Sequence, residues 1–152
     1  MILTYSEARD EIFGLVNDTW CAHTGAIFGG SRELRFPDVE HRDIPAQGKA
    51  WGYCEMLITD TRQIGLRNDA TRRYETTGVL TLDVYVPRSE IGSAESALRM
   101  GHTVRRVLEQ PNNLSGIWYR HVTARTARQT AGAVVVRVVA DFNYTEEGES
   151  DG

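Results

Sequence analysis

The side chains able to do chemistry are scattered along this chain. Four histidines, His23, His41, His102 and His121, lie 18, 61 and 19 residues apart. A metal site built on one element needs ligands a helical turn or a strand alternation apart, as in HExxH or HxH, and none of these spacings supplies that. No metal or cofactor is therefore expected, and the histidines read as hydrogen-bonded or solvent-facing side chains. Cys21 and Cys54 form no CxxC motif. They read as reduced, partly buried thiols, with a disulfide between them left open.

Acid, base and nucleophile candidates fare no better. Ser31 follows Gly29-Gly30 but lacks a second glycine two residues on, so it reads as a turn serine and not as a nucleophile elbow. The glycines from Gly25 to Gly30 lack the Lys and Ser/Thr of a phosphate loop, which leaves a turn leading to an extended segment. Glu146 and Glu147 are adjacent in a tail, where no rigid geometry separates their acidities. Asp83 and Asp141 sit inside apolar strands and read as outward charges that discourage edge pairing. No catalytic residue is expected, and the chain does not read as an enzyme.

The arginines raise a second possibility. Arg120, Arg125, Arg128 and Arg137 with Trp118 and Tyr119 suit either a basic nucleic-acid surface with aromatic platforms or a protein interface. Charge distribution favours the interface. The net charge is -4, and Glu146, Glu147, Glu149 and Asp151 account for all of it, so residues 1–145 sum to zero. A general nucleic-acid binder carries a basic excess that this body lacks.

The elements that position these residues follow from periodicity. Thr4 and Glu7 form a capping-box pattern, and Ala8, Ile12, Leu15, Val16 and Trp20 continue it as a helical stripe over Tyr5–Thr19. Glu33–Phe36 reads as a short strand closed by Pro37, and Asp38–Lys49 as a polar loop. Ala50–Thr59 reads as a central strand with bulk on both faces, Trp51, Tyr53, Glu55 and Leu57 opposing Gly52, Cys54, Met56 and Ile58. From Tyr74 a strand runs to Pro87, with Leu80, Leu82, Val84 and Val86 on one face, and a helix follows over Ser93–Glu109. Ile117–Thr126 is extended, with Ile117, Tyr119, His121 and Thr123 on one side and Trp118, Arg120, Val122 and Ala124 on the other. Ala133–Tyr144 alternates most regularly. Residues 1–145 form one domain, and the acidic stretch 146–152 is expected to be disordered.

Residues 60–73 join two strands and hold Arg62, Arg67, Arg72 and Arg73 against Asp60 and Asp69. The segment is either a solvated loop or the outer part of a long hairpin, because Ile64 and Leu66 alternate around Gly65. The order of elements predicts an α+β fold of two layers: one mostly antiparallel sheet, two helices packed on one face, and a protruding hairpin arm. The start of the chain shows no signal peptide and no run is long enough to span a membrane, so folding in a cytoplasm is expected.

Glu75-Thr76-Thr77-Gly78-Val79, the alternating strand closed by Val86-Pro87, the Gly92 turn, the small-residue helix and a last strand ending Asp141-Phe142-Asn143-Tyr144 resemble the tail terminator (tail completion) proteins of long-tailed bacteriophages. The resemblance spans roughly Tyr5 to Glu146, while Gly25–Gly30 and the acidic end do not map onto the family pattern. It implies a structural virion protein, assembled in the host cytoplasm and located at the head-proximal end of the tail. Such a protein forms a ring of its own copies, most often a hexamer, that caps the tail tube, stops its polymerisation and docks the head connector or stopper protein. DNA passes through the bore without sequence-specific binding. The arm residues Arg62, Gln63, Ile64, Leu66 and Arg67, with the strand residues Trp51 and Tyr53, are the expected contacts between subunits or with the tube. Alternatives are a phage neck or head-completion protein, or a small cytoplasmic enzyme or ligand-binding domain with a pocket lined by Tyr119, His121 and Asp83.

Overall fold

The computed structural model describes residues 2–37, 49–66, 72–90, 92–110, 116–130 and 132–148. The elements in chain order are α1 (Tyr5–Phe28), β1 (Glu33–Arg35), β2 (Trp51–Leu66), β3 (Arg72–Pro87), α2 (Ser93–Glu109), β4 (Trp118–Gln129) and β5 (Ala133–Gly148). The fold is α+β, with one five-stranded sheet in the order β1-β2-β3-β5-β4. Among the named strands only the β1–β2 pair is parallel, and an isolated parallel bridge joins Ile2 to Thr145.

Helix α1 opens with the predicted capping box. The Glu7 amide donates to Thr4 Oγ1 at 3.2 Å, and the Thr4 amide donates to Glu7 Oε1 at 3.2 Å. The helix does not stop at Thr19. It runs through Cys21 and Gly25 to Phe28, and the turn expected from Gly25 is displaced to Gly29, whose φ of 81° closes the helix while its amide donates to the Gly25 carbonyl. Burial explains the extra turns. Trp20 and Thr24 are buried, and the Trp20 indole lies over Gly52, where a Cβ would come within 2.8 Å of the ring. Its Nε1–H donates to the Arg32 carbonyl at 2.7 Å, fixing the chain that leads into β1.

Helix α2 rests on β3, β4 and β5 and against α1, so both helices cover one face. Gly101 permits the close approach, since a Cβ there would come within 2.7 Å of Val136 Cγ1. That face supplies the core: Leu80, Leu82, Val84 and Val86 from β3, and Val134, Val136, Val138, Ala140, Phe142 and Tyr144 from β5, all buried.

Of the two readings of 60–73, the described part is the hairpin arm, because β2 and β3 stay paired out to Leu66 and Arg72; residues 67–71 lie outside the described residues, as do 38–48 of the expected polar loop. Two expectations are corrected. The acidic stretch is not disordered from its start: β5 continues through Glu146 and Glu147 to Gly148, pairing with Arg72–Glu75. The main-chain ladder with β3 carries it, helped by Arg73 3.8 Å from Glu147 and by the Tyr144 hydroxyl donating to Glu146 at 2.9 Å. Residues 149–152 lie outside the described residues. In β4 the expected alternation fails at His121, whose φ of 52° marks a bulge between Arg120 and Thr123. Tyr119, Val122 and Ala124 consequently share the core side.

Candidate assembly surface

Among the described residues no helix lies on the second face of the sheet. Cross-strand register places its residues in rows: Glu33, Trp51, Tyr85, Val135 and Arg128, then Arg35, Tyr53, Asp83, Arg137 and Arg125. Further along come Glu55, Thr81, Val139 and Thr123, then Leu57, Val79, Asp141 and Arg120. Period-two patterning dictates this, because residues that alternate with a buried set must share the other face.

The first two rows are rigid. The Trp51 and Tyr85 rings stack 4.3 Å apart at 9°, and the Arg35 guanidinium lies 5.8 Å from the Trp51 ring. Beside the stack, Arg137 donates from Nε and from the second guanidinium nitrogen to both oxygens of Asp83, at 2.7 and 3.0 Å. The Asp83 side chain is only 10% exposed and Arg137 is 47% exposed, so the fork holds a nearly buried carboxylate beneath a half-open cation. Those hydrogen bonds raise the Arg137 pKa above its ordinary value. Burial, then the charge of Asp83, raise the pKa of the Tyr85 phenol.

Beyond these rows the face turns apolar and open. Leu57 is 66% exposed, and Val79 and Val139 beside it are half-buried. Next to them is a shallow cleft of about 310 Å³ lined by Thr59, Glu75, Arg120, His121, Asp141 and Asn143 among others. His121 Nδ1 is 2.9 Å from Asp141 Oδ2.

Past Ile58 lies the arm, the outer parts of β2 and β3 with the end of β5 beside them. Arg62, Gln63 and Ile64 are exposed there, Arg62 reaching Glu75 at 3.5 Å. Leu66 pairs with Arg72 through the main chain. Arg67 lies outside the described residues. The predicted contact residues therefore fall in two patches and not one: Arg62 is eleven residues along β2 from Trp51, roughly 35 Å at about 3.3 Å per residue. Trp51 and Tyr53 belong to the rigid rows, Arg62–Leu66 to the arm.

The alternative pocket is not assembled. Tyr119 packs on the core side, where burial raises its phenol pKa, whereas Asp83 and His121 lie on the open face in different rows. Asp83 and Asp141 lie on the face away from the helices, but their strands β3 and β5 are interior, so they guard no sheet edge as expected; Asp83 is buried beneath Arg137, and Asp141 meets His121. Cys54 is buried and Cys21 is exposed, against the expectation of two partly buried thiols, and both are free. Among the described residues no group of three or more His, Cys, Asp or Glu is placed to hold a metal, and no helix is long and apolar enough to cross a membrane. Trp118, read from the sequence as an interface aromatic, is 49% exposed on β4, whereas Leu57 and Tyr85 are residues of the bare face that sequence reasoning did not single out as contacts. The signal for Leu57 was present in its alternation with Cys54 and Met56.

No family model and no curated protein matches this sequence. One solved structure superposes with a TM-score of 0.61 over 93% of this chain and 96% of that chain, at 15% sequence identity. At that identity the likeness concerns the fold.

Proposed function

We propose that this chain is a structural assembly protein, a tail terminator of a long-tailed bacteriophage. Its copies close into a ring, six-membered on the pattern of the resembling family, at the head-proximal end of the tail tube. The ring stops tube polymerisation, offers its other side to the head connector or stopper, and lets DNA pass through the bore without sequence-specific contact. It acts without an active site, assembles in the host cytoplasm and ends in the virion.

The observation that carries this reading is the bare sheet face continued into an arm. A sheet covered on one side only leaves a large, partly apolar surface, and such surfaces mark contacts with other proteins. A heterologous contact repeated by rotation closes a ring. One side of that ring must match a tube ring while the other must recruit no further copy, a discrimination that shape and charge can supply without chemistry.

Preformed tail tubes test the proposal. Adding the protein should block further extension, with protein bound at one end of each tube; unhindered extension with none bound rejects it. Reversing charge with Arg62→Glu should lower capping several-fold while the thermal unfolding curve stays in place, and unchanged capping removes Arg62 from the contact.

A further inference from the structure

We infer that the free edge of β4 and the outer half of β2 are the two sides of one head-to-tail contact, β4 of one copy pairing antiparallel with residues 55–66 of a second copy. This rests on the ring reading above and deepens it by naming the surfaces that meet.

Main-chain groups come first. Strand β1 covers β2 only from Trp51 to Tyr53, so among the described residues β2 has no strand on that side from Cys54 to Leu66. Strand β4 pairs with β5 on one side and with no described strand on the other. Each edge presents a row of amides and carbonyls able to template another strand.

Side chains on the two edges match. Of the exposed large hydrophobics Tyr5, Leu57, Ile64 and Trp118, two lie on outer β2 and one on β4. Strand β4 carries Arg120, Arg125 and Arg128, all exposed, and no acid. Outer β2 carries exposed Glu55 and Asp60, while its Arg62 is engaged by Glu75. Opposite charge favours β4 against β2. Pairing of β4 with β4 would oppose arginines, and pairing of β2 with β2 would oppose acids.

Direction agrees as well. Strand β2 is antiparallel to β3, β3 to β5 and β5 to β4, so β2 and β4 run in opposite senses. Within one sheet β4 stands level with about residues 51–60 of β2, where β1 holds Trp51–Tyr53, so meeting residues 55–66 requires strands tilted from the ring axis. The tilt staggers neighbouring copies as in a barrel and keeps the junction antiparallel, the arrangement of every other long pair in the sheet.

The test uses two double variants of the full chain, chosen for unchanged thermal unfolding. Arg120→Glu with Arg125→Glu makes both edges acidic; Glu55→Arg with Asp60→Arg makes both basic. Analytical ultracentrifugation should show the native chain assembled, and each variant alone with its dissociation constant raised about 100-fold or more. An equimolar mixture should reassemble, because alternating copies restore opposite charge at every junction, and should contain an even number of copies. A chain carrying all four reversals should assemble alone. A native chain that stays monomeric at millimolar concentration, a double variant that assembles like the native chain, or a mixture that stays monomeric overturns the inference. Tube capping separates the two readings. Assembled rings that leave tubes extending reject the terminator role and keep the contact, whereas unassembled variants that cap at native concentration reject the contact and keep the role.

Discussion

The two faces of this sheet are written by alternate residues of the same strands, and they differ in what completes them. On one face Leu82, Val84, Val136 and Val138 are closed over by α1 and α2 and are essentially inaccessible. On the other, Tyr53, Leu57, Val79 and Val139 are also apolar or aromatic, yet no described helix covers them. The bare face is not simply the polar one. Its aromatic stack and its Asp83–Arg137 fork order it within the chain, while Leu57 leaves apolar area for another molecule. One set of residues closes the core, and the interleaved set forms the face proposed above for contacts with other copies.

Substitutions can break this division or sharpen it. The largest effect is expected on the covered face: Trp20→Ala removes the indole seated over Gly52 and should cost about 3–5 kcal/mol in urea unfolding. A loss below about 1 kcal/mol would show that the seat does not anchor α1. Next, Gly78→Ala forces a Cβ to within 2.4 Å of the Leu57 carbonyl oxygen and 2.5 Å of the Phe142 ring. Backbone cannot swing aside as a side chain does, so a loss of about 3 kcal/mol is expected in the same assay.

Alkaline pH probes the covered face without mutation. Burial raises the pKa of Cys54, Tyr119 and Tyr144, in Tyr144 with help from its hydrogen bond to Glu146. Each group holds its proton more tightly folded than unfolded. Their contribution is therefore intact below the ordinary thiol and phenol values of 9.0 and 10.0 and is lost as pH climbs beyond them. Tm should fall above about pH 9–10, and less steeply in Tyr144→Phe; equal slopes would remove Tyr144 from the cause. The smallest effect on stability belongs to the bare face. Leu57→Ser should change unfolding free energy by no more than about 0.5 kcal/mol while tube capping drops sharply. A large loss of stability with capping intact would reverse the assignment of the two faces.

Much of the fold was legible because its signals are local. The capping box at Thr4 and the stripe over Ser93–Glu109 fix both helix starts, and the valines of β5 alternate cleanly. The end of α1 was not, because its last turns bury Thr19 and Thr24 and tolerate Gly25, leaving no apolar stripe to read. The inversion in β4 depends on one residue, His121, adopting a conformation that no neighbour in the sequence announces. Glu146 and Glu147 read as tail from composition alone, since their cross-strand partners, Tyr74 and Arg73, stand more than seventy residues earlier. At the candidate surface, Trp51 and Tyr53 stood out because their strand carries bulk on both faces. That Asp83 lies opposite Arg137, and that Leu57 and Trp118 lie toward opposite edges, required the register of strands distant in sequence.

Strands β3 and β5 pair without a break from Arg72 and Gly148 at the arm to Pro87 and Ala133 in the body. A pull along the described outer end of β3 against β5 would therefore have to slide one strand past the other, straining the whole row of main-chain bonds together instead of peeling them in turn.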